Sequence, residues 1–316
     1  MKNWMLWLGF VSLLMLMTAC GRDMEYVHYE KQGITRYSEQ ILNEVSVRSN
    51  IQYGEALTQA GETKRLALTL YAPQNDVEQS RPLIILAHGT DLASVNVGDF
   101  NSLAQYFVRS GYVVASIDYR TLDVDKNTET MQRAILDASF DMKAAVRYFH
   151  KSVAVGNIYG IDPSQIFIGG YAAGAVTALH AAYVREESEV EAIGGAALLD
   201  YVNTQGGVEG NSGHAGYASA VRGVLNLSGA LLQADLIDEG EPALISIHGE
   251  SDSQIAAGRG TGILGIETEG STLIHAEADR IGLIHELNTI SEGDHLIYGE
   301  SLDYGNTLRS FVFKNL

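Results

Sequence analysis

Residues 165–183 read QIFIGGYAAGAVTALHAAY, an apolar run that meets a pair of glycines and continues in small, helix-forming residues. A short apolar run bounded by glycine and followed by helical composition fits a strand, a tight turn and a helix folded back on it. Gly170 and Gly174 bracket the turn. Without a Cβ they allow a cramped backbone and a close helix–strand approach. Such a unit has a place only in a sheet whose faces are covered by helices.

The rest of the chain supplies that sheet. RPLIILAHG and YVVASIDYR are continuous apolar runs, as expected of strands buried on both faces. FNSLAQYFVRSG has helical spacing and stops at Gly111, and residues 128–152 (TETMQRAILDASFDMKAAVRYFHKS) predict a long helix. VRGVLNLSG, PALISIHG and HELNTI predict later strands, with helices at STLIHAEADRIG and the C-terminus. EVSVRSNIQYGEAL and KRLALTLYAP predict two earlier strands, the second ended by Pro73. Strands alternating with helices place the chain in the α/β class, with a mostly parallel, doubly wound sheet and helices on both faces. No linker interrupts residues 46–316, which are expected to form one domain.

The N-terminus has a different character. Residues 1–20, MKNWMLWLGFVSLLMLMTAC, combine Lys2, an apolar stretch and small residues before a cysteine, as in a secretory signal. Met17-Thr18-Ala19-Cys20 resembles a bacterial lipobox, in which the cysteine is lipidated. Cys20 is the single cysteine of the chain, so the folded part holds no disulfide. Residues 21–45 are polar and expected to be a tether. Gly21 replaces the aspartate that often signals inner-membrane retention, which predicts an exported domain lipid-anchored in the cell envelope, at the outer membrane. The formal charge of −18, with no basic stripe, argues against a nucleic-acid partner.

The turn at 170–174 also matches the spacing of G-x-S-x-G, in which a serine on a sharp strand-to-helix turn supplies a nucleophile. Here Ala172 holds the serine's position, between Tyr171 and Ala173. In that architecture an acid and then a histidine follow in chain order. Asp252 lies just beyond the strand PALISIHG, four residues after His248, and His295 lies in TISEGDHLIYG after the last strand. Asp235 and Asp238 are competing acids. An oxyanion hole needs two backbone N–H groups. The loop after LIILA offers Gly89 or Thr90, and the residue after the nucleophile position is Ala173. His88 is expected to be structural.

With these residues in place, the chain resembles bacterial carboxylesterases of the α/β-hydrolase superfamily, the group that contains acetyl and feruloyl esterases. SGYVVASIDYR, AAVRYFHKSVAVGNIYGIDPSQIFIGGYAAGAVTALHAAY and PALISIHGESD carry the resemblance. It implies an α/β-hydrolase fold, a small-molecule ester or acylated glycan as ligand, and a site using only side chains and water, with no metal and no organic cofactor. Ala172 stands where the serine stands, Asp252 where the acid stands and His295 where the base stands. Three departures follow. Alanine removes the nucleophilic oxygen, HGTDL replaces a glycine-rich oxyanion loop, and SQIAAGRG replaces the usual segment after the acid. The chain is therefore expected to be deficient in serine-dependent ester hydrolysis. Three explanations stand: a natural pseudoenzyme that binds an ester, glycan or protein in the old cleft, an esterase whose serine was exchanged, or a slow route in which His295 and Asp252 activate water directly.

Other features carry less. GTGILG (260–265) matches G-x-G-x-x-G but does not open a first βαβ unit. His275, His285 and His295 recur every ten residues without a metal-ligand interval. REESEVE reads as a solvated helix end, and the glycine-rich stretch 207–219 as a loop bordering the cleft or lying on the surface. Thr177 is a turn too far along its helix to replace the serine, and Tyr171 is expected to point away from the base.

Overall fold

The computed structural model describes residues 36–89, 92, 100–295 and 303–316; the signal segment, Cys20 and Thr90 lie outside them. Eight strands form the main sheet: β1 (Val45–Leu57), β2 (Thr63–Pro73), β3 (Arg81–Ala87), β4 (Val113–Ile117), β5 (Ile161–Tyr171), β6 (Gly223–Leu227), β8 (Ala243–Gly249) and β11 (His285–Ile290). Their order across the sheet is β1-β2-β4-β3-β5-β6-β8-β11. β1 and β2 are antiparallel to their neighbours, and the remaining pairs are parallel. β7 (Ala230–Leu231), β9 (Arg259–Gly260) and β10 (Thr268–Gly270) make a second, small sheet.

The helices are α1 (Asn101–Arg109), α2 (Thr128–Ala154), α3 (Ala173–Tyr183), α4 (Glu187–Thr204), α5 (Ser271–Ile281) and α6 (Asp303–Lys314). α2 starts where Asn127 and Thr130 close a capping box, each side chain accepting the other's backbone N–H at 3.0 and 2.9 Å. Every residue of β3, β6 and β8 is buried, the polar Asn226, Ser246 and His248 included, as expected of strands covered on both faces. Among the described residues no helix is long and apolar enough to cross a membrane.

Two features differ from expectation. Residues 36–42, assigned to a tether, lie on the domain: the N–H of Tyr37 donates to Ser110 O at 2.8 Å, those of Ile41 and Leu42 to Arg109 O at 2.9 Å, and Arg36 pairs with Asp76. α4 extends well beyond the acidic stretch that marks its start, and bends at Gly195 (φ 67°). Its IGGAALL segment has no helical period, and only Val190, Leu198 and Val202 are buried.

The register places the site. Ala87 lies beside Gly170, Gly170 beside Asn226, Leu227 beside Ile247, and Gly249 beside Ile290. The C-terminal ends of β3, β5, β6, β8 and β11 therefore align along one edge, the edge at which open α/β sheets bind ligands.

Candidate active site

At that edge β5 turns sharply into α3. Ala172 sits at the turn with φ 52° and ψ −122°, a conformation that costs a residue with a Cβ about 1–3 kcal/mol. Its N–H donates to Leu227 O at 2.9 Å, and its carbonyl accepts from the N–H of Val176 at 3.0 Å. The flanking glycines are forced. A Cβ on Gly170 would lie 2.3 Å from the Gly174 carbonyl carbon, and one on Gly174 would lie 2.0 Å from Ala87 O. This close approach brings the end of β3 against the turn, so that a Cβ on Gly89 would meet the Tyr171 ring at 2.3 Å. Ala173 opens α3, and its N–H is one of the first-turn amides that a helix cannot satisfy internally.

The two distant residues meet. His295 Nδ1 lies 2.7 Å from Asp252 Oδ2, both side chains being buried. The other oxygen, Oδ1, accepts the N–H groups of Gln254 and Ile255, each at 2.9 Å. Burial alone would raise the Asp252 carboxyl, but hydrogen bonds from His248, His295 and Ile255 hold it well below the ordinary carboxylate range. Asp252 is thus an anion, and Nδ1 of His295 donates to it. That leaves Nε2 as the nitrogen open to proton exchange. The loops bearing the pair are clamped together: Ser251 N–H donates to Gly293 O at 2.8 Å, and a Cβ on Gly249 would strike Asp294 O at 2.3 Å.

Tyr171 does not turn away from the histidine. Its hydroxyl donates to His295 O at 2.7 Å, and the two rings lie 5.0 Å apart. Its position beside Ala172 was legible, but the variable place it fills in the motif gave no sign that it would face His295. Thr177 donates its hydroxyl to Ala173 O at 2.9 Å inside its own helix, and is fully buried. His88 stacks on Tyr119 at 4.5 Å, and its ring nitrogens have no hydrogen-bond partner among the described residues. Burial, with the charge of Lys64, pushes its pKa down to about 4, so it is a neutral ring. Asp235 and Asp238 are exposed.

The loop at 207–219 lies elsewhere. With Lys143, Arg147, Arg222 and Pro242 it lines a cavity of about 840 Å³. That cavity adjoins the starts of β6 and β8, the end of the sheet opposite Asp252. GTGILG begins at Gly260, the last residue of β9, and runs on toward β10. His275 and His285 face each other through Nδ1 at 2.8 Å. Among the described residues no cluster of three or more His, Cys, Asp or Glu could hold a metal.

Sheet order, the strand-to-helix turn at Ala172 and the aligned strand ends define an α/β-hydrolase fold. The BD-FAE family model matches residues 68–215, which include the turn at Ala172 and stop short of Asp252 and His295. Many solved structures are similar, two of which illustrate the likeness. Thermogutta terrifontis esterase 2, phosphorylated by paraoxon, has a TM-score of 0.61 at 18% identity, covering 85% of this chain and 94% of its own. A truncated carbohydrate esterase from gut microbiota has a TM-score of 0.60 at 17% identity, covering 88% of this chain and 98% of its own. No curated protein sequence matches the chain.

Proposed function

We propose that the chain is a carboxylesterase-type scaffold for carboxylic esters, with the hydrolytic step disabled at Ala172. One observation carries the reading: the buried Asp252–His295 pair at 2.7 Å shares a sheet edge with a strained strand-to-helix turn at Ala172. The BD-FAE match and the esterase neighbours support an ester as the ligand.

In this reading each residue has a role once a hydroxyl stands at position 172. Its oxygen attacks the ester carbonyl while His295 Nε2 takes the proton, and Asp252 stabilises the imidazolium. The amides of Ala173 and of Gly89 or Thr90 receive the oxyanion. The acyl–oxygen bond breaks, the alcohol leaves with the proton from His295, and water then releases the acid. The methyl of Ala172 can neither lose a proton nor hold an acyl group. The chain as it stands therefore binds an ester in the cleft without forming an acyl intermediate. An acylated glycan is the favoured ligand class, in line with the carbohydrate esterase neighbour. A lipid anchor at Cys20 would hold the domain in the envelope.

The test is hydrolysis of short p-nitrophenyl esters by the chain and its Ala172→Ser variant. Losing a nucleophile costs serine hydrolases about 10⁶ in turnover, so the variant should gain at least about 10³-fold. That gain should vanish on further replacement of Asp252 or His295. Equal inertness of the two chains would overturn the reading of the site.

A further inference from the structure

Asp252 is contacted by a second imidazole. His248, on β8 and fully buried, places Nε2 2.9 Å from Ile255 O and 3.3 Å from Asp252 Oδ2. A carbonyl and an ionised carboxylate can only accept, so Nε2 carries the proton and shares it between them. Nδ1 of the neutral ring then accepts, which gives the buried Ser271 hydroxyl, already an acceptor for Asn226, its acceptor. The Nδ1 contact is Ser271 Oγ at 2.7 Å, whose hydroxyl therefore donates. Ser271 in turn accepts from Asn226 Nδ2 at 3.0 Å. The backbone fixes the direction of that amide, because the N–H of Gly229 donates to Asn226 Oδ1 at 2.9 Å.

The chain of hydrogen bonds has a second arm. Asn226 Nδ2 gives its other hydrogen to Ser246 Oγ at 2.8 Å, and that hydroxyl donates to His275 Nε2 at 2.7 Å. His275 then offers its Nδ1–H to His285 Nδ1, and His285 Nε2–H reaches Asp279 Oδ1 at 3.1 Å. Both arms run outward from Asn226, each contact having one donor and one acceptor. Only one tautomer of His248 fits. Asn226, Ser246, His248 and Ser271 are wholly inaccessible to solvent, so bulk water does not compete for these hydrogen bonds.

We propose that His248 is a positioning residue for the Asp252–His295 pair, locked as its Nε2–H tautomer by Asn226 through Ser271. The proposal rests on the reading of that pair as acid and base. Oδ2 of Asp252 divides its acceptor capacity between two N–H donors. His248 thereby holds the carboxylate in place and moderates its pull on His295. Without that second donor the carboxylate serves His295 alone, favours the imidazolium, and makes the base slower to reach its neutral, working form. A polar cluster that merely packs would leave the hydrogen bond at His295 unaltered.

The full chain, with Ala172 in place, allows a test that needs no turnover. The low-field proton resonance of the His295 Nδ1–H should move downfield in His248→Leu, and in the same direction but less in Ser271→Ala. His248→Gln, which keeps an N–H donor toward Asp252, should leave it near its original position. In the Ala172→Ser background, His248→Leu should move the acid limb of the kcat/KM profile upward by about half a pH unit or more, and His248→Gln should restore it. An unmoved resonance and an unmoved limb in folded variants would overturn the proposal. Should His248→Leu fail to fold, Ser271→Ala, which removes a single oxygen, decides through the resonance. An inactive Ala172→Ser chain would sink the proposed function, while the resonance would still decide the role of His248.

Discussion

In the proposed function, Ala172 keeps the backbone of a nucleophile turn without the oxygen. Its φ of 52° persists because its N–H is tied to Leu227 and its carbonyl to Val176. Ala172→Gly should remove strain of about 1–3 kcal/mol while adding about 0.4–1 kcal/mol of unfolded-chain entropy. A net gain of about 1 kcal/mol is expected, read as a higher urea midpoint at unchanged slope. A midpoint that falls would show that the turn holds no strain. At this scale chain order and strand ends were enough to single out Ala172, Asp252 and His295 as candidates, and the last two do meet in space. His248 was legible only as a landmark, and Asn226, Ser271 and Gly249 not at all. Their roles depend on which side chains meet across β6, β8 and α5, and spacing along the chain does not record that.

Arg120, just past β4, joins several elements at a buried point. Its Nη2 donates to Asp141 Oδ1 at 2.8 Å, to Asp137 O at 2.9 Å and to Ser212 Oγ at 3.0 Å, while Nη1 reaches Leu57 O at 3.0 Å. It thus pins the end of β1, the middle of α2 and the 207–219 loop. Arg120→Met would strand two buried carboxyl groups, and should cost about 3–5 kcal/mol in thermal or denaturant unfolding. A loss below about 1 kcal/mol would show that α2 docks without it. The elements easiest to read were those with a single burial pattern, such as β3, β4 and β8. β7, β9 and β10 are two or three residues long and offer no period to read. α4 was hidden by its glycines and its mostly exposed surface.

Across the whole molecule, acid sensitivity should come from histidines before carboxylates. His88, His180 and His275 are buried, and burial foremost pushes their pKa values down to about 4, 4 and 3. An unfolded histidine titrates near about 6.5. Below that pH the unfolded chain binds protons that the folded chain refuses, so stability falls as pH drops from about 6.5 toward 4. Each group contributes up to about 1.4 kcal/mol per pH unit, offset in part by Asp137 and Glu241, whose carboxyls burial pushes up to about 6 and 7, so that the folded chain takes up those protons before the unfolded chain does. Tm should therefore decline steadily from pH 7 to pH 5, and less steeply in His180→Gln. Asp76 works in a lower window. Its carboxyl is held at about 2 by Arg36 and Arg81 against the cost of burial, so its contribution is present above about 3.8 and lost between 4 and 2. A Tm that stays level from pH 7 to pH 5 would contradict the histidine account.

The most direct measurement mixes the Ala172→Ser chain with p-nitrophenyl acetate and follows the first turnover, with mass spectrometry of the peptide containing position 172. The account predicts a rapid burst approaching one equivalent of p-nitrophenolate and an acetyl group on that peptide, neither of which the Ala172 chain produces. No burst and no adduct, in a variant that folds as the parent does, would mean that the turn at Ala172 and the Asp252–His295 pair do not form a working site.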